Sequence, residues 1–129
     1  MHVLFVDDDS FNTLIAKKLF AKMQIIDKVV FVTNGDEALT YMMRDTNILP
    51  THVFLDQHMP VMSGSEFLSQ LKENKFQLEN TKILLMTSSD SLPEFKHPSL
   101  MSMINYSLNR PLQLSILEEI LGIGVSKNA

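Results

Sequence analysis

Five short apolar runs, each followed by a segment with helical character, constrain the fold of this chain more than any other feature. The runs lie at residues 3–6, 29–32, 52–55, 83–86 and 103–108. Short runs rich in β-branched and aromatic side chains are typical of buried strands. Strands that alternate with helices form a parallel sheet with helices on both faces. The sequence therefore predicts an α/β fold with a doubly wound, five-stranded parallel sheet.

The segments between the runs carry helix signals. Asp9 or Ser10 is a candidate cap for the first helix, and Asn34 and Ser63 each precede a glutamate by three residues, the spacing of a capping box. The predicted buried stripe of the first helix consists of Phe11, Leu14, Ile15, Leu19 and Met23. A last helix is expected to end near Gly122.

The stretch from Asp90 to Met101 is the least regular part of the chain. Pro93 and Pro98 restrict any helix there to a short piece between them, so we expect a shortened fourth helix. The length of 129 residues and the 45% hydrophobic content suit one domain. We expect that domain at residues 1–123 and a frayed tail at 124–129, with no output domain.

Composition excludes several classes of function. The chain has no cysteine, which rules out disulfides, thiolate metal sites and cysteine nucleophiles. Its net charge of −4 argues against direct binding to nucleic acid. The N-terminus lacks the pattern of a signal peptide, and no apolar run approaches the ~18 residues of a membrane span. A cytoplasmic protein without membrane insertion is the expectation.

Polar side chains follow four of the five predicted strands at the point where each strand ends. They are Asp7, Asp8 and Asp9 after the first strand, Asp56 after the third, Thr87 and Ser88 after the fourth, and Arg110 after the fifth. In open parallel sheets the ligand site lies outside the carboxyl ends of the strands, where the strand order reverses. The topology therefore gathers these side chains at one edge of the sheet.

This combination of side chains favours phosphoryl chemistry. Carboxylates held a few ångströms apart repel each other unless a cation neutralises them. Oxygen ligands suit Mg²⁺, with Mn²⁺ as a substitute. A carboxylate beside such a metal, a hydroxyl and a fixed cation supplies a nucleophile, charge neutralisation, a hydrogen-bond donor and a counter-ion for a phosphoryl group.

Four segments together resemble the receiver domain of two-component response regulators. They are Val6-Asp7-Asp8-Asp9, the Leu55-Asp56-Gln57-His58-Met59-Pro60 segment with Gly64 after it, Leu85-Met86-Thr87-Ser88, and Arg110-Pro111. The resemblance extends from the first strand to the last helix. It implies a flavodoxin-like (βα)5 fold with strand order 2-1-3-4-5, and a single-domain signalling protein rather than an enzyme.

The resemblance also implies a role for each site residue. Asp56 would accept a phosphoryl group from a sensor histidine kinase or a histidine phosphotransfer protein. Mg²⁺ would be held by Asp8 directly, by Asp7 largely through water, by Asp56 and by the backbone carbonyl of His58. Thr87 would be the switch hydroxyl, and a separate downstream protein would read the signal from a monomer or weak dimer.

Two positions depart from the pattern of the family. Arg110 occupies the place where the family usually carries lysine, and its planar fork cannot place a point charge as lysine does. Ser107 occupies the aromatic switch position three residues earlier, whereas Tyr106 lies one place before it and should point to the other face of the sheet. We therefore do not expect the usual output dimer.

Other interpretations remain open at this point. Taken singly, each of these residues also has a purely structural interpretation. The three aspartates could begin a helix, and Thr87 could cap one. Arg110 could be a surface charge, and Asp56 could end a strand at a turn. The histidines show no zinc-ligand spacing. One alternative function is a receiver-like interaction module that works without phosphorylation.

Another alternative function is a phosphatase similar to the haloacid dehalogenases. Asp7 would be its nucleophile and Asp9 its acid/base. A catalytic lysine, a later acidic pair and room for a cap domain are missing from the sequence.

Overall fold

A computed structural model describes residues 1–44, 48–87 and 98–123 of the chain. The strands are β1 (Val3–Val6), β2 (Val29–Val32), β3 (His52–Asp56), β4 (Lys82–Thr87) and β5 (Tyr106–Asn109). The helices are α1 (Ser10–Lys22), α2 (Gly35–Arg44), α3 (Gly64–Glu73), α4 (Pro98–Met101) and α5 (Leu114–Leu121), and a 3-10 turn at Ile26–Lys28 precedes β2. The chain thus alternates strand and helix as predicted.

The five strands form one sheet in the order β2-β1-β3-β4-β5. Every neighbouring pair is parallel, which confirms the predicted fold and strand order. The order reverses between β1 and β3, because the chain leaves β1 toward one edge of the sheet and returns to continue on its other side. This reversal places the ends of β1 and β3 at the crevice where such sheets bind ligands.

Each face of the sheet has its own hydrophobic core. Leu4 and Val6 of β1 pack with α2, α3 and α4, whereas Val3 and Phe5 pack with α1 and α5. The alternation follows from the period of two along a strand. Both faces are covered, so the strands are apolar throughout and burial of this surface is the main source of stability.

Helix α1 buries only part of the expected stripe: Met23 is buried and Leu19 packs against the core as predicted. Phe11 and Leu14 are 66% and 50% exposed, so the prediction that they face the core is wrong. Ala16 and Phe20 are buried instead. The ring of Phe20 packs against Phe5 and Phe54, with centroid separations of 6.1 and 5.8 Å, and the small Ala16 lies one turn earlier on the same face.

Capping side chains fix the starts of α2 and α3. The Glu37 N–H donates to Asn34 Oδ1 over 2.8 Å, while Glu37 Oε1 accepts from the Thr33 N–H over 2.7 Å. Asn34 therefore caps α2 as predicted, but the return bond reaches one residue further back than in a capping box. In α3 the predicted capping box between Ser63 and Glu66 is complete. It fixes the helix that follows the Asp56 loop.

Replacing Ser63 by alanine is expected to lower the free energy of unfolding by about 1 kcal/mol, because the Glu66 N–H loses its acceptor. Urea unfolding of the variant measures the loss. Ser115→Ala, an exposed position inside α5, controls for the change of side chain. Equal unfolding midpoints for the Ser63 variant and the original chain would contradict the role of the cap.

The fifth strand begins later than predicted. The N–H groups of Ser102, Met103 and Ile104 donate to carbonyls of α4, so they close that helix rather than join the sheet. The strand therefore begins at Tyr106 instead of residue 103. The described part of the fourth helix is short and spans Pro98–Met101, and proline suits the first turn of a helix. The helical piece predicted between Pro93 and Pro98 falls on residues outside the described ranges.

Several predictions fall on residues that lie outside the described ranges. They concern Ser88, Pro93 and the tail at 124–129. The last helix ends before Gly122, whose φ of 70° is the left-handed conformation of a helix end. Among the described helices, none has the length and apolar character required to cross a membrane.

Candidate functional site

Three aspartates meet at the carboxyl ends of β1 and β3. Asp7 follows β1, Asp56 is the last residue of β3, and Asp8 lies next to Asp7. One carboxylate oxygen of each lies within 4.8 Å of the others. Asp7 and Asp56 are 1% and 4% exposed, whereas Asp8 is open to solvent. The cluster therefore has a buried side and an accessible side.

Arg110 reaches into the cluster from the end of β5. Its Nη2 lies 3.0 Å from Asp7 Oδ2 and 2.7 Å from Asp56 Oδ1. The backbone N–H of Arg110 donates to the Thr87 carbonyl over 2.9 Å, which fixes the start of its side chain beside β4. Its peptide bond to Pro111 is cis. One guanidinium nitrogen thus bridges the two buried carboxylates.

Asp9 belongs to the helix rather than to the cluster. Its Oδ1 accepts from the Phe11 N–H over 2.8 Å and from the Asn12 N–H over 3.4 Å, so it caps α1. Its own N–H donates to Asp7 Oδ1 over 2.9 Å. Both oxygens of Asp7 therefore have a donor. The capping role of Asp9 also argues against the phosphatase alternative, in which Asp9 would be the acid/base.

The pKa values of two carboxyl groups in the cluster, those of Asp7 and Asp8, are raised above the ordinary value. Burial is the first cause that raises the pKa of Asp7 from 3.8 to about 6. The Asp9 N–H and the Arg110 charge oppose this increase in pKa, and the nearby Asp56 adds to it. Partial desolvation and then Asp56 raise the pKa of Asp8. A cluster with this property gains from binding a further cation.

The loop after Asp56 packs closely against the end of β3. The Gly64 N–H donates to the Gln57 carbonyl over 3.0 Å, and the Ser65 N–H donates to Gln57 Oε1 over 3.0 Å. A Cβ on Gly64 would lie 2.5 Å from the Asp56 carbonyl oxygen, so only glycine fits. Sequence reasoning did not assign the positioning role of Gln57, because no periodicity or charge distinguishes it.

His58 follows Asp56 by two residues, and Thr87 is the last residue of the neighbouring strand β4. The backbone N–H of His58 approaches Asp56 Oδ1 at 3.4 Å, while its side chain is exposed. The Thr87 hydroxyl makes two long hydrogen bonds of 3.4 Å, to the Leu108 carbonyl and to Asn109 Oδ1. The hydroxyl is therefore held by β5 through weak contacts.

The structure brings together four of the side chains that the sequence places at this edge, namely Asp7, Asp8, Asp56 and Arg110. Their donor set fits a magnesium ion, since carboxylate oxygens with access to water are the ligands that Mg²⁺ prefers. The exposed Asp8 provides that access. The carboxylates can bind a hard cation, and the guanidinium of Arg110 can bind an anion in the same crevice.

Residues 3–121 match the response regulator receiver domain family. The chain belongs to this family. The receiver domain is 31% identical over 131 residues to the two-component response regulator ARR17 of Arabidopsis thaliana, and the alignment covers 93% of this chain and 82% of that protein.

Solved structures show the same fold. A two-component response regulator from Legionella pneumophila has a TM-score of 0.77, with 23% identity and 95% of each chain covered. The receiver domain of the sensor histidine kinase PA1611 from Pseudomonas aeruginosa was solved with a magnesium ion coordinated in its active site cleft. That structure has a TM-score of 0.74, with 19% identity and 93% of each chain covered.

The sequence of this receiver domain departs from the family pattern at Arg110 and Ser107, and the structure shows the surroundings of both positions. Arg110 reaches the two buried carboxylates from the position that precedes Pro111. Tyr106 is half exposed, and Lys82 Nζ lies 5.9 Å from the centre of its ring. Since Ser107 is its neighbour in β5, the two side chains lie on opposite faces of the sheet.

Proposed function

We propose that this receiver domain accepts a phosphoryl group on Asp56 from a phosphohistidine of a sensor histidine kinase or a histidine phosphotransfer protein. Phosphorylation would change a surface that a separate downstream protein binds. The observation that carries the proposal is the position of Asp56. It is a buried carboxylate 2.7 Å from a guanidinium nitrogen and close to two further aspartates, at the crevice of the sheet.

The reaction forms a bond between one Asp56 carboxylate oxygen and phosphorus. The P–N bond to the imidazole breaks, and its electron pair returns to the nitrogen, which is then free to take a proton. Asp56 attacks as a carboxylate, and the Arg110 guanidinium lies 2.7 Å from one of its oxygens. The pocket residues position the reactants and stabilise negative charge, which are the main contributions of a protein to phosphoryl transfer.

Mg²⁺ is the proposed cofactor, with Mn²⁺ as a substitute. Asp8, Asp56 and the backbone carbonyl of His58 would hold it directly. Asp7 would act through water, because its two oxygens already accept from the Asp9 N–H and from Arg110. When bound, the metal neutralises the acidic cluster and the phosphoryl oxygens.

Thr87 is the proposed switch residue. Its two hydrogen bonds to β5 are long, at 3.4 Å, and a charged phosphoryl oxygen is a stronger acceptor than either. An exchange of partner by Thr87 would alter the packing of β4 against β5. The signal would then pass to the surface formed by these strands and the helices beside them.

A small phosphodonor tests the proposal. Incubation with phosphoramidate is expected to give one phosphoryl adduct in the intact mass, dependent on Mg²⁺ and lost in Asp56→Asn. Asp27→Asn, an exposed change in the 3-10 turn, controls for the loss of a carboxylate elsewhere. An adduct of equal yield in Asp56→Asn would contradict the proposal.

A phosphorylation-independent interaction module is the second candidate. One observation favours it: the Arg110 guanidinium already neutralises Asp7 and Asp56, as a bound metal would. Under this alternative the protein forms no adduct with phosphoramidate and binds its partner equally well with Asp56 or Asn at position 56. A pull-down with both variants distinguishes the two functions.

A further inference from the structure

Strand β2 forms one edge of the sheet. Among the described strands it pairs with β1 alone. The Val32 carbonyl accepts from the Asp7 N–H over 3.1 Å, so it points toward β1. Because the backbone groups of successive strand residues point to opposite sides, the N–H and C=O of Phe31 point away from β1. The backbone of Phe31 is therefore placed to pair with a further strand.

The edge carries little of the protection that edge strands usually have. Its sequence is Val-Val-Phe-Val, without a charge or a proline, and all four residues are only half-buried. Proteins commonly guard an edge with charged side chains, proline or a covering segment. Lys17 Nζ lies 5.1 Å from the centre of the Phe31 ring, but this ring packs with the core on the α1 face of the sheet. An apolar edge of this kind favours pairing with another strand.

A groove of about 720 Å³ runs between β2 and the outer side of α2. Phe31 and Val32 line it from the strand, and Tyr41 and Met43 line it from the helix. The Met43 side chain is 52% exposed. Exposed apolar surface that is bordered by polar residues is typical of a protein interaction site.

The charges along the groove are complementary to themselves. Asp36 lies in the first turn of α2 and Arg44 in the last, and both are exposed. Eight residues of helix separate them, which is about 12 Å. If a second α2 lies antiparallel beside the first, each Asp36 faces the Arg44 of the other copy, and a two-fold axis relates the two contacts. The groove therefore suits a second copy of this chain better than a partner of one uniform charge.

We propose that this receiver domain forms a two-fold dimer through β2 and α2. The Phe31 N–H of each copy donates to the Phe31 carbonyl of the other, as in a hydrogen-bonded pair of antiparallel strands. The strand pairing is short, because the Thr33 N–H already donates to Glu37 Oε1 over 2.7 Å. The two α2 helices lie antiparallel on one face of the joined sheet, with Asp36 of each copy beside Arg44 of the other. This interface lies at the opposite edge of the sheet from β5 and does not require phosphorylation of Asp56.

Sedimentation equilibrium tests the dimer and its charge contacts. We expect a dissociation constant of about 100 µM for the original chain, in the weak range of small interfaces. Asp36→Lys and Arg44→Glu should each weaken self-association at least about tenfold, because each places like charges at both contacts. The double variant should recover the original affinity. A chain that stays monomeric up to about 1 mM overturns the proposal.

A matched control distinguishes this interface from one on another face. Glu119→Lys reverses an exposed charge on α5 and changes the net charge as Asp36→Lys does. It should leave self-association unchanged. Self-association that is lost in Glu119→Lys and kept in Asp36→Lys places the interface on α5 and overturns the proposal.

A mixture of the two single variants tests the antiparallel arrangement directly. Asp36→Lys and Arg44→Glu give opposite charges at both contacts of a mixed dimer, whereas neither variant pairs well with itself. An equimolar mixture should dimerise with the affinity of the original chain, and a mixture that stays monomeric overturns the arrangement.

Amide exchange tests the strand pairing. In the original chain the Phe31 N–H should exchange more slowly with solvent as the protein concentration rises, because the dimer gives this group an acceptor. An exchange rate that does not change while the chain dimerises overturns the pairing through β2.

Discussion

Replacing Arg110 by alanine is expected to lower the free energy of unfolding by about 3 kcal/mol at about pH 8 in metal-free buffer. The change removes the guanidinium nitrogen that lies 3.0 Å from Asp7 and 2.7 Å from Asp56. Both carboxyl groups are buried, so two like charges would then face each other without a counter-ion. Added Mg²⁺ is expected to restore most of the loss, because it binds the folded chain. Urea unfolding with EDTA or with Mg²⁺ measures both effects.

Two control variants separate the ion pair from a general loss of positive charge. Arg110→Lys keeps a cation beside the cluster and should lose less stability than the alanine variant. Arg44→Ala removes a guanidinium that stacks on Tyr41 at 4.5 Å, outside the cluster, and should show no recovery specific to Mg²⁺. The same unfolding free energy for Arg110→Ala and Arg44→Ala under both conditions would argue against a counter-ion role.

Between about pH 4 and about pH 7, the metal-free protein is expected to lose about 3 kcal/mol of stability relative to Asp7→Asn. Burial is the first cause that raises the pKa of Asp7 from its ordinary 3.8 to about 6 in the folded chain. The folded state therefore keeps a proton that the unfolded state has already released. The contribution of the Asp7 carboxyl to the free energy of unfolding is complete below about pH 4, and it is lost as the pH rises through about 6.

Urea unfolding in EDTA at a series of pH values measures this dependence. The comparison with Asp7→Asn removes the contributions of all other titrating groups, and Asp27→Asn corrects for the change of side chain itself. The unfolding free energies of the original chain and Asp7→Asn should diverge as the pH rises. Parallel curves across this range would mean that the Asp7 carboxyl does not titrate with a raised pKa.

Most of the fold could be predicted from the sequence because its strands are apolar on both faces. Runs such as Val3–Val6 and Val29–Val32 stand out from their surroundings, and the structure gives them the predicted bounds. The stripe of α1 was not predictable in the same way. Phe11 and Leu14 are as apolar as Phe20, and only the fit of the Phe20 ring between two rings of the sheet selects the buried face.

The candidate site was predictable to the extent that topology determines it. The carboxyl ends of parallel strands meet, so Asp7 and Asp56 were expected to lie together. The hydrogen bonds and ion pairs of each carboxylate oxygen could not be predicted from the sequence, because they depend on distances of a few tenths of an ångström. Two examples are Asp9, which turns to cap α1, and Arg110, which bridges Asp7 and Asp56 with a single nitrogen.

The most direct test of the account is to locate the phosphoryl group on the chain. Borohydride reduces an aspartyl phosphate to homoserine, and tandem mass spectrometry of the digested protein identifies the position of that residue. After incubation with phosphoramidate and Mg²⁺, we predict homoserine at position 56 alone. Homoserine at position 7 would instead indicate the phosphatase-like chemistry with Asp7 as nucleophile. An adduct without homoserine at position 56 would contradict the central claim that Asp56 is the acceptor.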